Sequence, residues 1–116
     1  MSRDVKIRWT PDLVEEGFTP VSTFFLDNYA ALGMTSAEVV LVLHLIRFKW
    51  DHRNPYPSFE VLAGRSGIGY NGVRAQARSL EAKGFLKRVR RRGYVEFDLT
   101  PLFRKFEAYR QEKRAA

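Results

Sequence analysis

The segment from Pro57 to Val95 reads PSFEVLAGRSGIGYNGVRAQARSLEAKGFLKRVRRRGYV, and its pattern decides the fold of the chain. Ser58 stands where its hydroxyl can cap a short first helix by accepting from a free amide of the opening turn. A glycine-bearing turn at residues 66–69 follows, and a second helix is predicted over about residues 70–83. The segment therefore predicts two helices joined by a tight turn.

A β-hairpin is predicted directly after the second helix. Gly84 ends that helix, as glycine does where the chain leaves a helix through a left-handed residue. Two alternating stretches over about residues 85–99 then flank Gly93, as two strands flank a turn. Helix, turn, helix and hairpin in this order resemble the winged helix-turn-helix of DNA-binding proteins. The resemblance implies a mainly α fold with a small β-hairpin wing (α+β), with the helix-turn-helix at about 58–83.

The N-terminal part of the chain carries weaker signals. Val5 to Trp9 alternates apolar and polar residues, which predicts a short strand. Residues 10–18 contain a proline and a glycine, and we expect a loop there. Thr19 followed by Pro20 then predicts a helix that runs to about Leu32.

Two further helices are predicted around the central segment. Thr35 and Glu38 match a capping box, and the helix that they open is apolar nearly all round to about Trp50, which predicts a central core helix. A last helix is predicted over about residues 101–112, because Thr100 precedes a proline at its first turn. At 116 residues, the chain is expected to form a single domain over 1–116.

The charge of the chain is unevenly distributed. The net charge is +7, but the segment up to Ile46 carries three Lys/Arg against six Asp/Glu, whereas the segment from Arg47 carries seventeen against seven. A basic excess that coincides with a helix-turn-helix favours a polyanionic partner, although a solvated charged face is the plainer alternative. The chain has no cysteine and no apolar run of about 18 residues, so we expect a cytoplasmic, nucleoid-associated protein without a membrane partner.

The sequence offers little support for catalysis. His44 and His52 are eight residues apart, and His44 lies in the most apolar predicted helix, where a structural histidine is the more common case. Neither a nucleophile motif nor a phosphate-binding glycine loop after a strand is present. We therefore expect a protein that is not an enzyme and that uses no cofactor, metal or small-molecule ligand.

The second helix of the motif is the best-defined candidate site. Val73, Ala77 and Leu80 share one side at 100° per residue, and we expect them in the core. The opposite side presents donors and acceptors that a recognition helix needs in the major groove. The predicted DNA-contacting residues on this helix are Tyr70, Asn71, Arg74, Ala75 and Arg78.

The hairpin adds the strongest electrostatic signal. Its predicted DNA-contacting residues are Lys87, Arg88, Arg90, Arg91 and Arg92. A wing rich in arginine suits the DNA backbone or a narrow minor groove, and a charged edge strand that resists aggregation is the alternative. Ser58, Arg65 and Ser66 are weaker candidates for phosphate contacts.

The order of elements looks like compact winged-helix regulators of the MarR-like sort. It is also similar to the winged-helix domain of plasmid and phage replication initiators, towards which the runs FTPVSTFFLD, PYPSFEVLAGRSG and FDLTPLF lean. The leading prediction is a sequence-specific double-stranded DNA-binding protein that regulates transcription. The alternatives are a replication-initiator type of DNA-binding domain, or a winged helix used as a protein-interaction module in a replication or partition complex.

A homodimer is the last expectation from the sequence. A single winged helix reads few base pairs, so specific binding usually involves two half-sites and a two-fold dimer. The last helix carries four large apolar residues that could meet Phe24 or Phe25 of the first long helix in a partner, or could simply be core. They are Leu102, Phe103, Phe106 and Tyr109.

Overall fold

The computed structural model describes residues 4–116. In chain order its elements are α1 (Val5–Arg8), α2 (Pro11–Glu15), α3 (Thr23–Asn28), α4 (Ser36–Arg47), α5 (Phe59–Ser66), α6 (Tyr70–Ala82), β1 (Lys87–Arg91), β2 (Tyr94–Asp98) and α7 (Thr100–Ala115). The described chain is mainly helical and carries one antiparallel hairpin, so the predicted α+β winged helix-turn-helix is confirmed. In this range no helix combines the length and the apolar character that crossing a membrane requires.

Helix α4 is the centre of the fold, and its start is the predicted capping box. The amide of Glu38 donates to Thr35 Oγ1 at 3.2 Å, and the amide of Thr35 donates back to Glu38 Oε1 at 2.8 Å. Val42 and Leu45 point into the core, where α4 packs against α5 and α6. The helix ends at Arg47, before the predicted end at Trp50.

The helix-turn-helix follows the predicted local signals. Ser58 Oγ accepts from the amide of Val61 at 3.1 Å and caps α5. Gly67 adopts a φ of 75°, which a residue with a side chain rarely does, and so lets the chain turn out of α5. Gly84, at a φ of 79°, has the same role after α6.

The wing is a hairpin with a third segment beside it. Arg91 of β1 lies opposite Tyr94 of β2 next to the turn. On the outer edge of β2, the amide of Phe97 donates to the carbonyl of Pro55 at 2.8 Å. The linker between α4 and α5 therefore lies along the free edge of the wing.

The N-terminal predictions were wrong, because side-chain caps start helices there. Val5–Arg8 is a helical turn rather than a strand, and Asp4 Oδ1 accepts from the amide of Lys6 at 2.9 Å. The predicted loop contains α2, whose first turn is capped by Thr10. The proline that we expected to break structure instead occupies the start of α2, where its missing N–H costs nothing.

Two predicted helix boundaries also need correction. Helix α3 is shorter than the predicted Thr19–Leu32, because its cap is Ser22 and its last residue is Asn28. Helix α7 is longer than the predicted 101–112, and it continues to Ala115.

The core brings α3 and α7 together within one chain. The ring of Phe106 lies 5.0 Å from the ring of Phe25 and 6.3 Å from that of Phe85. Tyr109 lies 6.2 Å from Phe24. Much of the aromatic surface that could have served a dimer is therefore used inside the domain.

Candidate nucleic-acid interface

Helix α6 has one buried face and one exposed face. Val73, Ala77 and Leu80 are fully buried, as predicted, and they fix the rotation of the helix about its axis. All the predicted DNA-contacting residues of this helix are exposed on its remaining surface, namely Tyr70, Asn71, Arg74, Ala75 and Arg78. Helix α6 therefore presents the polar surface that entry into a major groove requires.

The N-terminal end of this exposed face is arranged by aromatic contacts. The ring of Tyr70 packs edge-on against the ring of Phe59, with centroids 5.6 Å apart. The guanidinium of Arg74 lies 5.8 Å from the centroid of the Tyr70 ring. Gly69 precedes the helix without a side chain to cap it, so the first-turn amides of α6 have no side-chain cap.

The position of α6 relative to α4 is fixed by a buried carboxylate. Glu38 is 1% exposed, and its Oε2 accepts from Ser79 Oγ of α6 at 2.6 Å. Lys83 Nζ donates to Glu38 Oε1 at 2.7 Å and to the carbonyl of Gly33 at 2.8 Å. Burial opposes ionisation of this carboxyl, but hydrogen bonds from Lys83, Ser79 and Thr35 outweigh burial and lower the pKa of Glu38 to about 2.

Two of the five predicted wing residues are held by carboxylates. Arg88 Nε donates to Glu81 Oε1 of α6 at 2.7 Å, and its guanidinium lies 6.0 Å from the centroid of the Phe59 ring. Arg91 Nε donates to Glu96 Oε2 across the hairpin at 3.2 Å. Arg88 thus joins the base of the wing to α6.

The other wing residues divide between the two faces of the hairpin. Because side chains alternate along a strand, Arg88 and Arg90 share the face of Phe97, whereas Lys87 and Arg91 lie on the opposite face. Within residues 4–116, Arg90 and Arg92 take part in no ion pair. The five basic side chains therefore do not form one uniform contact surface. Among the described residues no ion-paired carboxylate offsets the charge of Arg90 and Arg92, or that of Lys87 on the opposite face.

The three weaker candidates have local roles in the fold. Ser58 caps α5, and Ser66 Oγ accepts from the amide of Ile68 at 3.5 Å. The guanidinium of Arg65 lies 5.4 Å from the centroid of the Phe48 ring.

Burial lowers the pKa of His44, and the charge of Arg65 lowers it further, which favours a neutral imidazole. Across residues 4–116, no three His, Asp or Glu side chains are grouped to hold a metal ion.

Sequence reasoning missed an exposed aromatic cluster next to the wing. The ring of Tyr56, in the linker, lies 5.3 Å from the ring of Tyr94 on β2. Trp50 and Tyr56 line one concavity, and Tyr56 and Tyr94 line the next. The available signal was an aromatic residue between two prolines, at Pro55 and Pro57, in a linker that directly precedes the motif.

A helix-turn-helix with a polar exposed second helix and a basic wing defines a winged-helix domain of the DNA-binding type. A family model described as the DnaD N-terminal domain matches residues 21–115. The chain belongs to the DnaD N-terminal domain family, whose members are winged-helix-like replication domains.

The fold is similar to one solved structure that covers nearly the whole chain. That structure is the crystal structure of the N-terminal domain of DnaD protein from Geobacillus kaustophilus HTA426, with a TM-score of 0.73. The match covers 98% of this chain and 96% of that chain at 23% sequence identity. Over 74 residues, the chain is also 35% identical to Protein YmfN of Escherichia coli (strain K12). That match covers 64% of this chain, which spans only 16% of the length of Protein YmfN.

These comparisons change the balance among the functional predictions. The replication alternative agrees with the family, and the MarR-like arrangement and a role in transcription regulation find no support. The DNA-contacting roles of individual residues stay predictions.

Proposed function

We propose that this domain binds double-stranded DNA within a DNA-replication assembly. Family membership supports the replication context, and the exposed face of α6 together with the wing supports the duplex partner. In this proposal α6 enters the major groove and the hairpin contacts the flanking backbone or the minor groove. The function implies a cytoplasmic site of action at the nucleoid.

The exposure of Arg74 and Arg78 is the observation that carries the proposal. Both arginines lie on the solvent side of a helix whose other side is locked into the core by Val73 and Leu80. Neither forms an ion pair with any described residue, so their charge is available to a polyanion. The uncompensated Arg90 extends this charge to the wing.

Each residue on α6 has a role that follows from its chemistry. Arg74 can donate two hydrogen bonds to guanine, and Asn71 can pair with the edge of adenine. Ala75 is small enough to approach a thymine methyl group, while Tyr70 and Arg78 suit the phosphate backbone on either side. Ser58, Arg65 and Ser66 are proposed as additional phosphate contacts.

Assembly with a second copy of the chain is the second function that we propose. An open apolar groove of about 390 Å³ lies between α3, α4 and α7, and its walls include Val21, Leu43, Ile46 and Phe103. An exposed apolar surface of this kind favours a protein partner. Phe106 and Tyr109 already contact α3 in the same chain. The proposed homodimer therefore uses the exposed groove between α3 and α7 rather than these aromatic contacts.

The duplex proposal is tested by fluorescence anisotropy with a labelled duplex, together with selection of bound sequences from a random duplex pool. We expect binding by the wild-type chain and a clear weakening by Arg74→Ala. Arg104→Ala is the matched control, because it removes an exposed arginine from α7 instead of α6. If the two variants bind alike, α6 is not the DNA-contacting element.

A further inference from the structure

We propose that the linker between α4 and α5, together with the start of β2, forms a binding site for single-stranded DNA. The site consists of Trp50, Tyr56 and Tyr94, and we call it the aromatic platform. The proposal rests on the proposed function, because it takes a duplex bound at α6 and the wing to lie beside the platform. It adds a second ligand class, unpaired bases, at a surface separate from α6.

The three aromatic side chains are exposed although aromatic surface is costly to leave in water. Trp50 is 83% exposed, Tyr56 is 66% exposed and Tyr94 is 46% exposed. Solvent-exposed aromatic side chains of this kind are what unpaired bases stack on, and stacking is tolerant of sequence because every base has a π face.

The platform is continuous. One concavity, of about 330 Å³, has Trp50 and Tyr56 in its wall, and a second, of about 480 Å³, has Tyr56 and Tyr94. The two concavities share Arg53 and Asn54 as well as Tyr56. A strand that passes from one to the other meets the three aromatic residues in turn.

The linker is held in shape by polar contacts, in addition to the contact between the rings of Tyr56 and Tyr94. Lys49 Nζ donates to the carbonyls of Asp51 at 2.7 Å and Arg53 at 3.1 Å, which closes the turn after α4. Asn54 Nδ2 donates to Glu96 Oε1 at 3.2 Å, and Pro55 accepts from β2. The stacking surface is therefore preorganised, which lowers the entropic cost of binding.

The charges around the platform favour a nucleic acid over a peptide. Four cations lie in it or at its border, namely Arg47, Lys49, Arg53 and Arg91. Arg53 and Arg91 are ion-paired with Asp51 and Glu96, which leaves Arg47 and Lys49 as the excess positive charge. The guanidinium of Arg47 lies 5.8 Å from the centroid of the Trp50 ring, where it can meet a phosphate next to a stacked base.

The position of the platform indicates which nucleic acid reaches it. Tyr94 directly follows the wing turn at Arg92 and Gly93, so the platform begins where the proposed wing contact with the duplex ends. A strand that separates from the duplex at the wing can continue onto Tyr94 and Tyr56. A junction between duplex and single strand would therefore occupy both surfaces at once.

The test compares the fluorescence of the two tryptophans of the chain, Trp50 in the platform and Trp9 outside it. Trp9→Phe leaves Trp50 as the sole tryptophan, and Trp50→Phe leaves Trp9, which is also exposed. Titration with an oligothymidylate of about 15 nucleotides should quench the emission of Trp50 and leave that of Trp9 unchanged. Quenching of neither tryptophan, or of both equally, would overturn the proposal.

Affinity measurements separate this proposal from the proposed function. Trp50→Ala and Tyr56→Ala should each weaken oligothymidylate binding by roughly 5- to 150-fold, while Trp9→Ala and blunt-duplex binding change little. If the wild-type chain binds the oligothymidylate but does not bind a blunt duplex, only the assignment of α6 as a duplex-binding helix is overturned. Equal affinity of the wild-type chain for a forked and a blunt duplex, or capture of a proline-rich acidic peptide in place of the oligonucleotide, would overturn the platform.

Discussion

The carboxylate of Glu38 on α4 and the hydroxyl of Ser79 on α6 are joined by a hydrogen bond of 2.6 Å across the core of the domain. The same carboxylate accepts from the amide of Thr35, which starts α4, and from Lys83 at the end of α6. One buried side chain thus links the beginning of the central helix to the proposed DNA-reading helix. The orientation of α6 depends on this side chain as well as on apolar packing.

Acid should remove the contribution of Glu38 to stability. The pKa of Glu38 is lowered from 4.5 to about 2 on folding, so its stabilising effect is complete above about pH 4.5 and is lost as the pH falls towards 2. A shift of this size corresponds to on the order of 3 kcal/mol. Urea unfolding at a series of pH values should therefore show a stability difference between the wild type and Glu38→Gln that shrinks across this window. The matched control is Glu107→Gln, which changes an exposed carboxylate on α7. A stability difference for Glu38→Gln that stays constant across the window would contradict the prediction.

Substitutions on the exposed face of α6 should alter sequence preference. Asn71→Ala and Arg74→Ala each remove donors that could reach base edges, and we expect a loss of about 1–3 kcal/mol at particular base positions. The measurement is selection from a random duplex pool followed by competition between selected and altered sites. A uniform loss on all sequences would show that α6 contacts only the backbone.

The wing arginines should separate into two classes. Replacing Arg90 and Arg92 together by alanine should weaken binding to all duplexes, because neither arginine is ion-paired within the described residues. Arg88→Ala should instead lower the thermal midpoint, because it leaves Glu81 of α6 without its partner. Melting curves and anisotropy on the same proteins distinguish the two effects. Equal losses of DNA affinity without destabilisation by Arg88→Ala would contradict this division.

The groove between α3, α4 and α7 should control self-association. Val21 lines the groove and is 40% exposed, whereas Leu26 is 53% exposed on α3 and does not line it. Light scattering over a concentration series, with and without a palindromic duplex, should show a weak or DNA-induced dimer that Val21→Glu abolishes and Leu26→Glu retains. A wild-type chain that stays monomeric and binds single half-sites without cooperativity would contradict the homodimer.

Local signals were sufficient to predict the helix-turn-helix and the start of α4. Ser58, Glu38 and Gly84 each act within a few residues of their position in the chain, so their caps and turns can be read from the sequence. The buried face of α6 was predictable for the same reason, since helical periodicity alone places Val73 and Leu80 together.

Predictions that depend on contacts distant in the sequence could not be made in this way. Glu38 and Ser79 are 41 residues apart, and nothing in the sequence of either helix marks them as partners. The five basic residues of the wing looked equivalent until the register placed Glu96 beside Arg91 and packing placed Glu81 beside Arg88. In the N-terminal segment, alternation suggested a strand, but the local cap at Asp4 favoured a helical turn.

The salt dependence of duplex binding tests the central claim most directly. If Arg74, Arg78 and the uncompensated wing arginines act with neighbouring phosphate contacts, roughly 5–7 phosphates are neutralised, and log Kd should change with log salt at a slope of about 5 to 6. The Arg90→Ala, Arg92→Ala double variant should reduce this slope by about 2. A slope near zero, or no binding to any duplex at low salt, would contradict the assignment of this domain as a duplex-binding winged helix.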